Sequence, residues 1–376
     1  MVHFNVNFQY FNSFADITLS LAKTLSQLGV DVSIEPSELS PDALKVISDR
    51  EKEMLEYWME QSPSQLFQFK WSHYWPTTRD IQLQGHVNFE FFAINYEFTR
   101  TDQYHDDWIQ STLDNSYHKL AVSDYCKQIL LQAGCSESDV SVLPLGANPL
   151  LFNCLEMEAQ VKAQKKPQVK CFLHLTNSWD LYRFGTDIFF PLFCEEFQGN
   201  PNVLLIIKDG GSNYNKVTEM AINIRKKLGE RMPNVYILRR LLNKTDLAQL
   251  YLFSDVVVAP FRGEGFAIKI LDAFAAGLPV IMPLYGGPTE YANSSNCYPI
   301  EYDLVPLGKC YDTQYIQPQN SPHWAEPNRE SLRQQLHRVM SDENQALVGQ
   351  RAKETAQQFS WEMTAKKLLA LIRKLS

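Results

Sequence analysis

Residues 255–291, DVVVAPFRGEGFAIKILDAFAAGLPVIMPLYGGPTEY, decide the fold class. Three consecutive valines between Asp255 and Ala259 read as a strand buried on both faces. Pro260-Phe261-Arg262-Gly263 breaks that strand, and Glu264-Gly265-Phe266-Ala267 opens an apolar helical pattern. The pattern stops at Gly277 with Pro279 just beyond, a helix end followed by a residue that cannot continue the helix. A second buried run, 279–282, comes next. Strand, loop, helix and strand at this spacing form the unit of a parallel sheet covered by helices. Free backbone N–H groups and the positive end of the helix then lie at the carboxyl edge of the first strand, where an anion can dock without a phosphate loop.

The same rhythm runs outward in both directions. Towards the N-terminus, strands are expected at 2–8, 30–34, 65–71, 87–95, 119–122 and 140–144, with an amphipathic helix over 17–28. A second series is expected at 170–175, 202–208 and 234–238, ahead of 255–259 and 279–282. Between the two series, residues 156–168 (EMEAQVKAQKKPQ) are polar and read as a linker or exposed loop. The expected organisation is therefore α/β: two parallel-sheet domains, 1–160 and 166–356, facing across a cleft. Residues 308–324 read as a long loop and 326–376 as helical throughout, with Ser360 capping the last helix, which packs back on the first domain.

Composition sets the limits on function. A chain of 376 residues that is 45% apolar and 21% charged can build two cores and is not disordered. Lys and Arg total 35 against 43 Asp and Glu, and a net charge of -8 argues against a surface made to coat nucleic acid. Seven cysteines without a Cys-x-x-Cys pair fit a reducing compartment, and no apolar window is long enough to span a membrane, so a cytoplasmic location is expected. The Lys and Arg residues around 365–375 leave room for peripheral membrane contact; the plainer reading is a helix packed on the body by its Leu and Ile stripe. The chain lacks Gly-x-Gly-x-x-Gly after a strand, Gly-Lys-Ser/Thr, Gly-x-Ser-x-Gly and His-x-x-x-His, which removes dehydrogenase, P-loop, serine hydrolase and zinc protease readings.

Glu264 and Asp272 stand eight residues apart. If both were helical they would be separated by about 12 Å, a span suited to the two ends of a nucleotide sugar. Glu264-Gly265-Phe266, Asp272 and the run Ala273-Phe274-Ala275-Ala276-Gly277-Leu278-Pro279-Val280 resemble the Glu-x7-Glu signature of retaining GT-B glycosyltransferases of family four, the group 1 glycosyltransferases, with Asp as the second carboxylate. The similarity extends to Ala121-Val122-Ser123, to residues 142–148 (VLPLGAN), to Gly286-Gly287 with Glu290, and to Phe359-Ser360-Trp361-Glu362.

That resemblance implies a fold of two Rossmann-like domains and a reaction that moves a sugar from a nucleotide diphosphate sugar to a hydroxyl acceptor with retention of anomeric configuration. The acceptor would be a glycan, a lipid-linked glycan or a small molecule, and no cofactor or metal is needed besides the donor. By position, Glu264 would bond hydroxyls of the transferred sugar, the amides of Gly265, Phe266 and Ala267 would face the phosphates, and Asp272 would hold the ribose. Arg183 occupies the place of a family lysine, while Asn177 stands where an arginine is expected. Lys208, at a strand end, is the best substitute cation. The loop 239–242, with Leu241, is the candidate contact for the base, and His73 and Glu97 are candidates for the acceptor side. A nucleotide-sugar epimerase of the same shape and a catalytically silent sugar-binding relative are the rival readings.

Overall fold

The computed structural model describes residues 1–8, 13–61, 67–71, 87–94, 97, 117–210, 214–307 and 323–375. Two compact units divide the chain: Met1–Ile94, Phe98–Gly146 and Gln358–Ser376 make the first, Asn95–Glu97 and Ala147–Gln357 the second.

The first unit is built on a six-stranded sheet of β1 (Val2–Phe8), β2 (Val32–Leu39), β3 (Phe67–Trp71), β4 (Val87–Phe92), β5 (His118–Ala121) and β6 (Val140–Val142), in the order β2-β1-β3-β4-β5-β6. Every pairing is parallel. Parallel strands buried on both faces need continuous apolar runs, and Phe89, Phe91 and Phe92 in β4 and Leu120 and Ala121 in β5 are all buried. Helix Ser13–Gln27 turns Ala15, Leu19, Ala22 and Leu25 inward, an i, i+3, i+4 stripe, and packs on both β1 and the last helix, Trp361–Leu375. Ser360 Oγ accepts from Met363 N at 3.2 Å, so the Phe359–Glu362 break is a helix start, as expected.

The second unit carries β7 (Lys170–Thr176), β8 (Val203–Asp209), β9 (Asn234–Leu238), β10 (Val256–Val258), β11 (Val280–Pro283) and β12 (Tyr298–Ile300), in the order β12-β11-β10-β7-β8-β9, again all parallel. Its core joins Phe172 on β7, Phe189 and Phe193 on helix Thr186–Glu196, Val256 and Val258 on β10, and Leu332 and Leu336 on helix Arg329–Ser341. From β7 the chain steps outward to β8 and β9, then returns to the other side of β7 to lay down β10, β11 and β12. The strand order therefore reverses between β7 and β10, and in open parallel sheets that reversal opens a crevice at the carboxyl ends of the two strands.

Three expectations need correction. Residues 156–168 are no simple linker, because helix Leu155–Lys162 forms there and packs on helix Lys244–Phe253. The break between the two units falls after Gly146 rather than at 160–166. The helical reading of 326–376 starts too early, since Glu326 lies in β14 (His323–Pro327), which pairs antiparallel with β13 (Tyr302–Pro306). Strands this short, ending in Pro306 and Pro327, carry too little alternation to stand out from a loop.

Candidate active site in the second sheet

The two loops at the strand reversal, 177–185 after β7 and 259–267 after β10, carry the cluster that sequence spacing singled out, and they are tied together. Arg262 N donates to Arg183 O at 2.7 Å. The Arg262 side chain is buried and forks twice, to Asp187 (2.7 and 2.9 Å) and to Glu326 (2.6 and 2.7 Å), while its Nη1 also donates to Tyr182 O. A guanidinium matched to two carboxylates is the strongest tie the side-chain repertoire offers. Behind it, buried His174 links β7 to β10: Nδ1–H donates to Val258 O at 2.8 Å, leaving Nε2 to accept from Thr186 Oγ1 at 2.9 Å. Burial lowers the His174 pKa to about 4, so this imidazole is neutral and structural.

Glu264 sits in the loop, outside the helix. The helix starts at Ile268, and Ala267 precedes it with φ 58°, the one non-glycine residue with positive φ among those described. The expected helical spacing of Glu264 and Asp272 therefore does not apply. The backbone of 264–267 is held from outside: Gly287 N donates to Glu264 O at 2.8 Å, and the Tyr291 hydroxyl lies 2.8 and 2.9 Å from the carbonyls of Phe266 and Ala267. Only glycine fits at 287, since a Cβ there would stand 1.7 Å from Gly265 O.

Glu264 is buried and meets two cations on one oxygen. Lys269 Nζ donates to Oε1 at 2.6 Å, and Arg183 Nη1 lies 3.2 Å from the same atom. Burial alone would raise the Glu264 pKa, but the Lys269 and Arg183 charges hold it below the usual carboxylate range. Arg183 is oriented in turn by Asp180, whose Oδ2 accepts from Nε at 2.8 Å, and by Gly263 O at 3.2 Å from Nη1. The ring of Phe184 lies under both cations, 4.1 Å from the Arg183 guanidinium carbon and 3.6 Å from Lys269 Nζ. Lys269 and Asp180 escaped sequence reasoning. The available signal for Lys269 was a lone cation in the apolar run 266–276.

The remaining sequence candidates lie in separate settings. Asp272 is buried on the helix and its Oδ1 accepts from Asn148 N at 2.7 Å. At the ends of β7 and β8, Asp209 takes Ser178 N at 2.8 Å and Ser178 Oγ at 2.5 Å, and Lys208 Nζ donates to the Asp209 carbonyl at 2.7 Å. Burial brings the Lys208 pKa down to about 8 against the opposing pull of Asp209. Asn177 Oδ1 accepts from Trp179 N at 2.9 Å, which shapes the turn after β7. Leu241 is exposed, in the loop between β9 and helix Lys244–Phe253. Glu97 exchanges backbone hydrogen bonds with His323, both 2.9 Å, whereas His73 lies outside the described residues. Among the described residues no group of three or more His, Cys, Asp or Glu side chains is placed to hold a metal, and no helix is long and apolar enough to cross a membrane.

Comparison with known proteins gives this cluster a context. Residues 187–303, which include Glu264 and Asp272, match the family model described as Glycosyl transferases group 1. Two curated D-inositol 3-phosphate glycosyltransferases align with part of the chain. The one from Corynebacterium urealyticum is 29% identical over 131 residues, covering 35% of this chain and 26% of that protein. The one from Saccharomonospora viridis is 30% identical over 130 residues, covering 34% and 25%. The match thus spans about a quarter of the length of these curated relatives. Solved structures match over the whole chain. A glycosyltransferase from Rickettsia africae gives a TM-score of 0.68 at 16% identity, covering 100% of this chain and 98% of that one. WaaG, a glycosyltransferase involved in lipopolysaccharide biosynthesis, gives 0.61 at 17% identity with 99% of each chain covered. Anabaena Alr3699/HepE in complex with UDP-glucose gives 0.64 at 13% identity with 100% of each covered. At these identities the likeness shows the fold, and that fold is GT-B.

Proposed function

We propose that this chain, whose residues 187–303 match the group 1 glycosyl transferase model and whose fold is GT-B, moves a sugar from a nucleotide diphosphate sugar to a hydroxyl acceptor with retention of configuration. The observation that carries the reading is Glu264: a buried, ionised carboxylate at the strand reversal, flanked by Arg183 and Lys269 and followed by the entry to a helix. A carboxylate in that setting accepts hydrogen bonds from sugar hydroxyls strongly, each worth about 1.5–3 kcal/mol. Asp272, fixed by the Asn148 amide, is assigned to the ribose, and Leu241 to the base. Arg183 and Lys208 are assigned to the diphosphate, where negative charge grows as the glycosidic bond breaks. The bound HepE complexes and the group 1 match support a nucleotide sugar as donor.

Retention is assigned to front-face attack, in which the departing phosphate oxygen takes the acceptor's proton. Glu264 is held by two cations and lies beside the residues assigned to phosphate, a poor position for a nucleophile on the opposite face of the sugar. His73 and Glu97 are assigned to orienting the acceptor. A cytoplasmic setting agrees with the six described cysteines, all free thiols.

The test is a panel of nucleoside diphosphates scored by melting temperature, followed by product analysis with and without acceptor. Stabilisation by a diphosphate and an α-linked product from an α-linked donor are expected. Asp272→Asn should weaken diphosphate binding, whereas Glu264→Gln should lower turnover without weakening it. A β-linked product, or an isomerised sugar formed without acceptor, would defeat the reading.

A further inference from the structure

We propose that Lys269 is a ligand of the donor's diphosphate, held by Glu264 in the free protein and handed over when the donor binds. The inference rests on the glycosyltransferase reading and adds to it a cation and an exchange that were not among the sequence candidates.

Three features of Lys269 are unfavourable in the free protein, and an anion relieves each of them. Lys269 lies in the first turn of helix Ile268–Ala275, where the helix dipole disfavours a positive charge. Its side chain is largely buried, at 20% exposure, and the Phe184 ring beneath the ammonium, though attractive to it, supplies no oxygen acceptor in place of the lost water. Of its three N–H donors only one has an acceptor among the described residues, Glu264 Oε1. A lysine kept merely to fill space on an apolar helix would be replaced by leucine or methionine at lower cost. Phosphate oxygens would satisfy the spare donors and match the positive helix end. Burial also lowers the Lys269 pKa to about 8, opposed by Glu264, which marks a cation short of partners.

The geometry also supplies the exchange. Lys269 and Arg183 converge on one oxygen of Glu264, so a single carboxylate balances two cations. Lys269 stands in the first turn of helix Ile268–Ala275, and side chains of a helix lean towards its N-terminus, which directs its long stem towards the loop that carries Gly265 and Phe266. Once the diphosphate takes Lys269, Glu264 Oε1 gains the lone pair that a sugar hydroxyl needs. Donor phosphate and donor sugar are then recognised as one coupled event.

Isothermal calorimetry with inorganic pyrophosphate and with UDP, GDP, ADP and dTDP tests this. Lys269→Gln should weaken pyrophosphate and the cognate diphosphate by about tenfold or more, and Lys269→Arg should stay within about threefold of wild type. Glu264→Gln, which removes the negative charge that holds Lys269, should bind pyrophosphate more tightly than wild type, and this gain should vanish in the Glu264→Gln/Lys269→Gln double variant. A lysine with a purely structural role would not produce that gain or its loss. If Lys269→Gln does not fold, Lys269→Arg and Glu264→Gln carry the test. Equal affinities for wild type and Lys269→Gln, or pyrophosphate binding by Glu264→Gln no tighter than wild type, would overturn the assignment and leave the glycosyltransferase reading standing. A wild-type protein that binds none of the diphosphates would overturn both.

Discussion

Arg262 is the residue whose removal should unfasten the site without touching it. It is buried, and its guanidinium satisfies Asp187 and Glu326 while bonding Tyr182 O. Truncating one partner of a buried ion pair costs about 3–5 kcal/mol, because the other charge is left without compensation. Asp187 has a side-chain exposure of 19% and should bear most of that loss, whereas Glu326, at 39%, is partly rescued by water. Arg262→Ala should therefore destabilise the second unit by about 3–4 kcal/mol, or roughly 6–16 °C in its transition by scanning calorimetry. Arg262→Lys should recover only part, since an ammonium cannot form two forks. The triple variant Arg262→Met/Asp187→Leu/Glu326→Met should regain most of the stability, as buried ion pairs exchanged whole for apolar groups commonly do. An Arg262→Ala protein within about 1 kcal/mol of wild type, or a triple variant no better than the single one, would refute the argument.

Three further outcomes are expected. Lys208 is held near pKa 8 in the fold against about 10.5 when unfolded, so its burial penalty is fully present below pH 8 and fades as pH rises to 10.5. Lys208→Met should stabilise the protein at pH 7 by about 1–3 kcal/mol, with the gain gone above pH 10.5 in a series of melts. Ala267→Gly should raise stability by about 0.5–1 kcal/mol in urea titrations, since φ 58° is costly for alanine and free for glycine. Gly146→Ala should cost about 1–3 kcal/mol and speed proteolysis at residues 358–376, because its Cβ would meet Trp361 N at 2.4 Å.

The sheets were legible because parallel strands announce themselves as unbroken apolar runs, as Val256-Val257-Val258 and residues 203–207 do. Helix Leu155–Lys162 was missed because Val161 is its one buried residue, too little to mark an apolar face, and it packs on helix Lys244–Phe253 from 80 and more residues away in sequence. In the candidate site, Glu264 and Asp272 were singled out by the motif they share with a known family, but the contacts around them were not legible. Arg262 finds its partners 64 and 75 residues away, and Asn148 meets Asp272 from 124 residues away. Lys269 and Arg183 meet through Glu264 only after two loops on opposite sides of the strand reversal are brought together. Local pattern carries element type; which charges share an oxygen is decided by the completed sheet.

Helix Trp361–Leu375 packs on Ser13–Gln27 in the first unit, although residues 147–357 of the second unit lie between that unit's main body and this helix in the chain. During synthesis the ribosome must therefore emit more than two hundred residues before the last helix can reach its seat. At translation speeds of about 5–20 residues per second, that is on the order of 10–40 s in which the inward stripe of Ser13–Gln27 lacks one of its covers. Until then that stripe is exposed apolar surface on a growing chain, and a cut anywhere in 147–357 breaks the covalent link between the first unit's main body and its closing helix.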